Sequence, residues 1–254
     1  MSTILLGDLH GVVEDAYYRL DILADERVMR PGDTIIWLGD VGLIYEYVSL
    51  RLFRAFERLG EEYEVRHVVL RGNHDNRYCR DIMSDAYGLG SYSRDERYGG
   101  EAYVLDAYPH TTFLSDVGGA YTFSDKKVLA IPGAWSIDKE YRLRYGYPWE
   151  REEMLTLPEM NAILDLTESE SFDVVISHTC PLSWFSEMSG LLFSGKVDTD
   201  SRMEQFMDSV LERVNADEWW FGHFHGDKDI SDIGHLLYWG YGVLGEGVVR
   251  PLLT

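Results

Sequence analysis

Five short apolar runs in this chain each end on a polar side chain able to bind a cation, and that recurrence constrains the fold more than any other feature. Ile4-Leu5-Leu6 stops at Gly7-Asp8, Thr34 to Leu38 at Gly39-Asp40, and His67 to Leu70 at Arg71-Gly72-Asn73-His74. Val174-Val175-Ile176 stops at Ser177-His178, and Trp219-Trp220-Phe221 at Gly222-His223. Continuous β-branched and aromatic runs, without polar alternation, suit strands covered on both faces. Polar residues at the carboxyl ends of such strands converge on one crevice, where open α/β sheets place their sites.

Helical patterns separate the runs. Val13, Tyr17, Leu20 and Ala24 share one helix face, and Leu52, Ala55, Phe56 and Leu59 share another. Met203, Phe206, Met207, Val210, Leu211 and Val214 form a third stripe, preceded by Ser201 with Glu204 three residues on, the pattern of a capping box. Thr156 and Glu159 make a second such pair around a helix start near Pro158. Alternating strand and helix predicts an α/β architecture. Between Ala102 and Ala134 the pattern changes to short strands at 102–105, 112–114, 121–123 and 128–131, which predicts a second sheet, with 236–239 and 248–249 as closing strands. Residues 84–100 and 135–149 carry many aromatics, charges and glycines and read as long loops, candidate lids over a site.

Composition narrows the function. With 254 residues, 45% of them hydrophobic, the chain can fill one sizeable core, and a single domain over 1–254 is expected. Apolar runs are interrupted well short of the roughly 18 residues a membrane span needs, and Met1 to Gly7 lacks the pattern of a secretory signal. Two cysteines, Cys79 and Cys180, make no disulfide framework. A cytoplasmic protein is the expectation. Lys and Arg number 23 against 44 Asp and Glu, a formal charge of −21. That surface repels polyanions, which counts against a nucleic-acid partner. It also requires locally concentrated positive charge for any anionic substrate, and bound metal ions provide it.

Asp8, His10, Asp40, Asn73, His74, His178, His223 and His225 include five of the eight histidines, too many for accident. Mixed carboxylate, imidazole and amide donors suit Mn, Fe, Zn, Co or Ni ions rather than calcium, which prefers oxygen alone. For His67, His110 and His235 an ordinary core or surface role is expected.

The order Asp8-x-His10, Gly39-Asp40, Gly72-Asn73-His74-Asp75, a lone His178 after a strand, then Gly222-His223-x-His225 resembles the signature of the calcineurin-like metallophosphoesterase superfamily. The resemblance runs from Asp8 to His225, nearly the whole chain. It implies a two-sheet sandwich flanked by helices, in αββα layers. It further implies one divalent transition-metal ion on Asp8, His10 and His225, a second on Asn73, His178 and His223, and Asp40 bridging them. In that family pattern a metal-bridging hydroxide attacks phosphorus, and His74 is the general acid for the leaving oxygen.

One departure matters. In the protein-phosphatase branch, the second motif continues to an Asp-Arg-Gly that supplies a carboxylate for the catalytic histidine and an arginine for phosphate; here it reads Gly39-Asp40-Val41-Gly42-Leu43-Ile44. Arg142 and Arg77 are the expected substitutes, ahead of Lys139 and Arg144. The leading expectation is a manganese-dependent phosphomonoesterase acting on a phosphoprotein or a small phosphorylated metabolite. The alternatives are a phosphodiesterase or nuclease, a dinucleoside polyphosphate hydrolase, or a metal-binding scaffold without activity.

Overall fold

The computed structural model describes residues 1–44, 46–83, 88, 90–188 and 200–252. Strands β1 (Thr3–Leu6), β2 (Thr34–Trp37) and β3 (Arg66–Val69) are joined by helices α1 (Val13–Asp25) and α2 (Glu46–Tyr63). Helix α3 (Tyr78–Met83) and strands β4 (Tyr92–Arg94), β5 (Ala102–Leu105) and β6 (Thr111–Leu114) follow, then β7 (Gly119–Phe123) and β8 (Lys126–Ile131). Helices α4 (Lys139–Tyr145) and α5 (Leu157–Ser169) precede β9 (Val174–Ser177), and α6 (Arg202–Leu211) precedes β10 (Glu218–Phe221). The chain closes with β11 (Lys228–Asp229), β12 (Gly234–Leu236) and β13 (Tyr241–Val243).

These strands make two sheets. One runs in the order β13-β1-β2-β3-β6-β5-β4, the other β11-β12-β10-β9-β8-β7. Successive side chains on a strand point to opposite faces, which explains why the runs are apolar throughout. Ile4 and Leu6 of β1 pack with Leu20 of α1 and Phe56 of α2 in an outer core. Leu5, between them, faces inward with Ile36 and Val68 against Ala130, Ile176 and Trp220 of the other sheet. Val175, Trp219 and Phe221 face outward again, onto Met160 and Ile163 of α5 and Met203, Phe206 and Met207 of α6. The result is the expected αββα sandwich. Three fully buried tryptophans find acceptors for their indole N–H groups, as burial demands: Trp37 on His67, Trp219 on the Ser177 hydroxyl and Trp220 on Glu218.

The structure corrects several details. Strands β5 and β6 belong to the first sheet, where β6 lies parallel to β3, so the second sheet begins only at β7. The last closing strand is β13 at 241–243, while 248–249 forms no strand. Of the two capping boxes, that of Thr156 and Glu159 forms on α5. Ser201 makes no side-chain cap, because Glu204 turns into the core and accepts a hydrogen bond from the Thr179 hydroxyl at 2.9 Å. Within the first expected lid, 84–87 and 89 lie outside the described residues; 92–94 is the edge strand β4, and Tyr98 is buried between the sheets. The second contains α4, which leaves Tyr141, Leu143 and Tyr145 exposed.

Candidate metal centre

The loops after β1, β2 and β3 of one sheet, and after β9 and β10 of the other, bring the strand-end donors together. Tight turns aim them. His10, Asp40, His223 and His225 have φ of 48°, 50°, 70° and 50°, in the left-handed region that costs an ordinary residue about 1 kcal/mol. These donors are four of the eight non-glycine residues with positive φ among the described residues. Two motif glycines have a steric reason. A Cβ on Gly72 would overlap the carboxylate and backbone nitrogen of Asp40, and one on Gly222 would overlap the Asp8 carboxylate.

The donors form overlapping groups. Oδ2 of Asp8, buried without a hydrogen-bond partner, lies 3.6 Å from Nε2 of His10 and 3.4 Å from Nε2 of His225. Those two imidazole nitrogens are themselves 2.8 Å apart. Across the cleft, Oδ1 of Asp40 is 3.2 Å from Nε2 of His178, which also lies 2.9 Å from Oδ1 of Asn73. Asp40, His178 and His223 offer one ligand atom each within 4.8 Å of one another, and Asp40 joins His10 and His74 in another such group. Asp40 therefore touches both clusters: its second oxygen is 3.9 Å from Nδ1 of His10. An orphaned carboxylate oxygen facing two imidazole nitrogens is a donor set that fits a borderline divalent cation.

Electrostatics agree. Burial alone would raise the Asp8 carboxyl, but the neighbouring imidazoles of His10 and His225 outweigh it and hold it below its ordinary value. Burial likewise opposes ionisation of Asp40, yet the charges of His178 and His74 hold it well down. Although burial disfavours its charge, Asp40 lifts His178 to about 9. His223, half-buried, falls to about 3 through desolvation and the neighbouring His178 charge and stays neutral, as a ligand must.

His74 lies on the rim, its ring 4.9 Å from that of His10 and its backbone N–H donating to Asp40 at 2.6 Å. Its Nε2 is 3.9 Å from Oδ1 of Asp138, the residue capping α4. Asp138 in turn lies 4.0 Å from Nε of Arg142, one turn further along that helix and buried. Burial lowers the His74 imidazole, with the Arg142 charge acting in the same direction; Asp40 and Asp138 oppose it. Arg77 is placed otherwise. All three of its guanidinium nitrogens donate elsewhere, to Glu159 at 2.7 and 3.1 Å and to the carbonyls of Glu152 and Met154, so it staples α5. Lys139 sits 4.6 and 4.3 Å from the ring centres of Trp135 and Trp149.

Sequence reasoning missed several supports. Arg19, buried on α1, donates to the carbonyls of Gly7 at 3.1 Å and Asp8 at 2.8 Å. An arginine between Ala16 and Leu20 on the apolar face was the available signal. Asp75 accepts the backbone N–H groups of Gly42, Leu43 and Gly72, tying the second and third donor loops together. Tyr238 stacks on His225, ring centres 4.6 Å apart. His67, His110 and His235 have ordinary partners in Trp37, Glu57 and Asp229.

The site and sandwich have counterparts among known proteins. A family model described as calcineurin-like phosphoesterase matches residues 1–227, a stretch that includes every donor named above, and the chain belongs to that family. Comparison with curated proteins gave no match by sequence. Among solved structures, one crystal structure is 13% identical, covering 98% of this chain and 97% of its own, with a TM-score of 0.56. The protein TT1561 of Thermus thermophilus is 12% identical over 99% of both chains, with a TM-score of 0.50. These two likenesses bear on the fold alone. An archaeal phosphodiesterase is 13% identical over 98% of both chains, with a TM-score of 0.41.

Proposed function

We propose that this family member hydrolyses phosphomonoesters, of a phosphoprotein or a small phosphorylated metabolite, with two divalent transition-metal ions, manganese first among them. Asp8, His10 and His225 would hold one ion, and Asn73, His178 and His223 the other, with Asp40 shared. The observation that carries this reading is the place of Asp40, within reach of His10 on one side and His178 on the other. When bound, such a pair supplies Lewis-acid charge for the phosphate oxygens and activates water at neutral pH.

The chain's own groups do the rest. His74 hands a proton to the leaving oxygen. Asp138, facing Nε2 of His74, favours the protonated ring and stands in for the missing carboxylate of the second motif. Arg142, buried beside Asp138, keeps a cation at the His74 wall, which supports a dianionic monoester over a monoanionic diester. The buried free thiols Cys79 and Cys180 fit a reducing compartment, and the cytoplasm is the proposed location.

The test compares turnover of nitrophenyl phosphate with that of bis-nitrophenyl phosphate, with and without Mn²⁺. Faster Mn²⁺-dependent turnover of the monoester is expected. Faster turnover of the diester would reverse the substrate order, and no turnover together with no bound metal would favour a scaffold.

A further inference from the structure

Asn73 can serve a cation only through its amide oxygen, and the amide could be turned either way. What decides it is a buried chain of hydrogen bonds running to a segment far along the sequence. Nδ2 of Asn73 donates to the Ser136 hydroxyl at 3.0 Å. That hydroxyl donates to Oε2 of Glu153 at 2.5 Å, and the Ser136 backbone N–H donates to Oε1 at 3.1 Å. The indole N–H of Trp149 donates to Oε2 at 2.8 Å. Glu153 is 1% exposed, and its own carbonyl oxygen accepts a guanidinium N–H of Arg71 at 2.7 Å, two residues before Asn73.

The direction of this chain follows from an ionised Glu153. Two N–H groups of fixed direction, from Ser136 and Trp149, point at its oxygens, and as an acceptor-only carboxylate it also takes the hydroxyl proton of Ser136. Ser136 must then give its proton to Glu153, which leaves its lone pairs for an N–H and not for a carbonyl. The Asn73 amide is thereby fixed with Nδ2 toward Ser136 and Oδ1 toward His178. Because Arg71 clamps the Glu153 backbone, both ends of the relay belong to the same packed block.

We infer that Ser136 and Glu153 are positioning residues for the second metal site: they present the amide oxygen of Asn73 to the cation without touching it. The inference rests on the ligand assignment proposed above. Groups that hold and orient a ligand typically change metal affinity 10–100-fold when removed.

The experiment is a Mn²⁺ titration of the metal-free full chain by calorimetry, with bound metal counted after dialysis. Ser136→Ala is expected to weaken the second ion about 10–100-fold while the first ion keeps its wild-type affinity. Ser136→Thr, which keeps the hydroxyl, is expected to restore binding. Glu153→Gln, whose amide can donate as well as accept, releases the direction of the relay and is expected to weaken the same ion. Should Ser136→Ala prove unstable, Ser136→Cys, close in size and a poor acceptor, is read in the same way.

Wild-type affinity for both ions in Ser136→Ala overturns the inference. Asn73→Ala, run in parallel, separates the failures. If it keeps both ions, or if the wild type binds fewer than two, the ligand assignment itself has failed and the positioning role falls with it. If Asn73→Ala loses the second ion and Ser136→Ala does not, only the role of Ser136 and Glu153 is wrong.

Discussion

Nε2 of His74 faces Oδ1 of Asp138 across 3.9 Å, although 64 positions separate the two in the sequence. The separation suits an ion pair that tightens when substrate fills the site. Asp138 is also held from the other side by Arg142. Replacing it with asparagine keeps the shape and removes the charge that favours a protonated His74. Asp138→Asn is therefore expected to lower kcat about tenfold on a monoester with a poor leaving group such as phenol, and less on nitrophenyl phosphate, whose leaving oxygen hardly needs a proton. The ratio of the two rates is the readout; equal losses on both substrates would remove Asp138 from the proton-transfer step.

His74→Ala tests the acid itself. The expected loss in kcat is about 10²–10⁴-fold on the phenyl ester, while Mn²⁺ content equals that of the wild type. Loss of metal together with activity would instead make His74 a ligand, a possibility its grouping with His10 and Asp40 raises.

Gly72→Ala probes the steric argument. Its added Cβ would overlap the backbone nitrogen of Asp40 as well as the carboxylate, and backbone cannot swing aside as a flexible side chain can. Overpacking of this kind costs about 1–3 kcal/mol. Mn²⁺ affinity is expected to fall at least tenfold, measured by calorimetry on the same preparation. Wild-type affinity would mean that the loop has slack and that Asp40 is not held where its contacts imply.

Arg19→Lys addresses the support beneath Asp8. One ammonium cannot reproduce the forked contact with the carbonyls of Gly7 and Asp8. A buried carbonyl left unpaired costs about 1–3 kcal/mol, to be read from urea unfolding of the metal-free protein. A cost near zero would show that water takes over the contact.

These supports also show which parts of the molecule were legible beforehand. The strand-end donors could be read because each ends a run whose residues must be apolar on both faces, so punctuation by Asp, Asn or His stands out. Their meeting in space follows from the parallel order of β1, β2 and β3 and of β9 and β10. The sheet that receives β5 and β6 was not legible, since only tertiary pairing, of β6 with β3, decides it. Helix α4 escaped because its aromatic residues face solvent and leave no buried stripe. Asp138, Ser136 and Glu153 act through space on His74 and Asn73, and nothing in their local sequence carries that relation.

Glu204 gives the last prediction, from the same cause that spoiled its capping box. Burial raises its carboxyl from 4.5 to about 7, only partly offset by the hydrogen bond from Thr179. A carboxyl with a raised folded-state pKa binds its proton more tightly folded than unfolded. The stability this contributes is fully present below pH 4.5 and is lost as the pH rises through about 7. Glu204→Gln has no proton to lose, so it should match the wild type near pH 4.5 and exceed it at pH 8 by about 3 kcal/mol. Urea unfolding of both metal-free proteins at the two pH values measures the difference, and the titration of His178, common to both, cancels. A constant difference between them across that range would mean that Glu204 ionises in the fold as freely as in the unfolded chain.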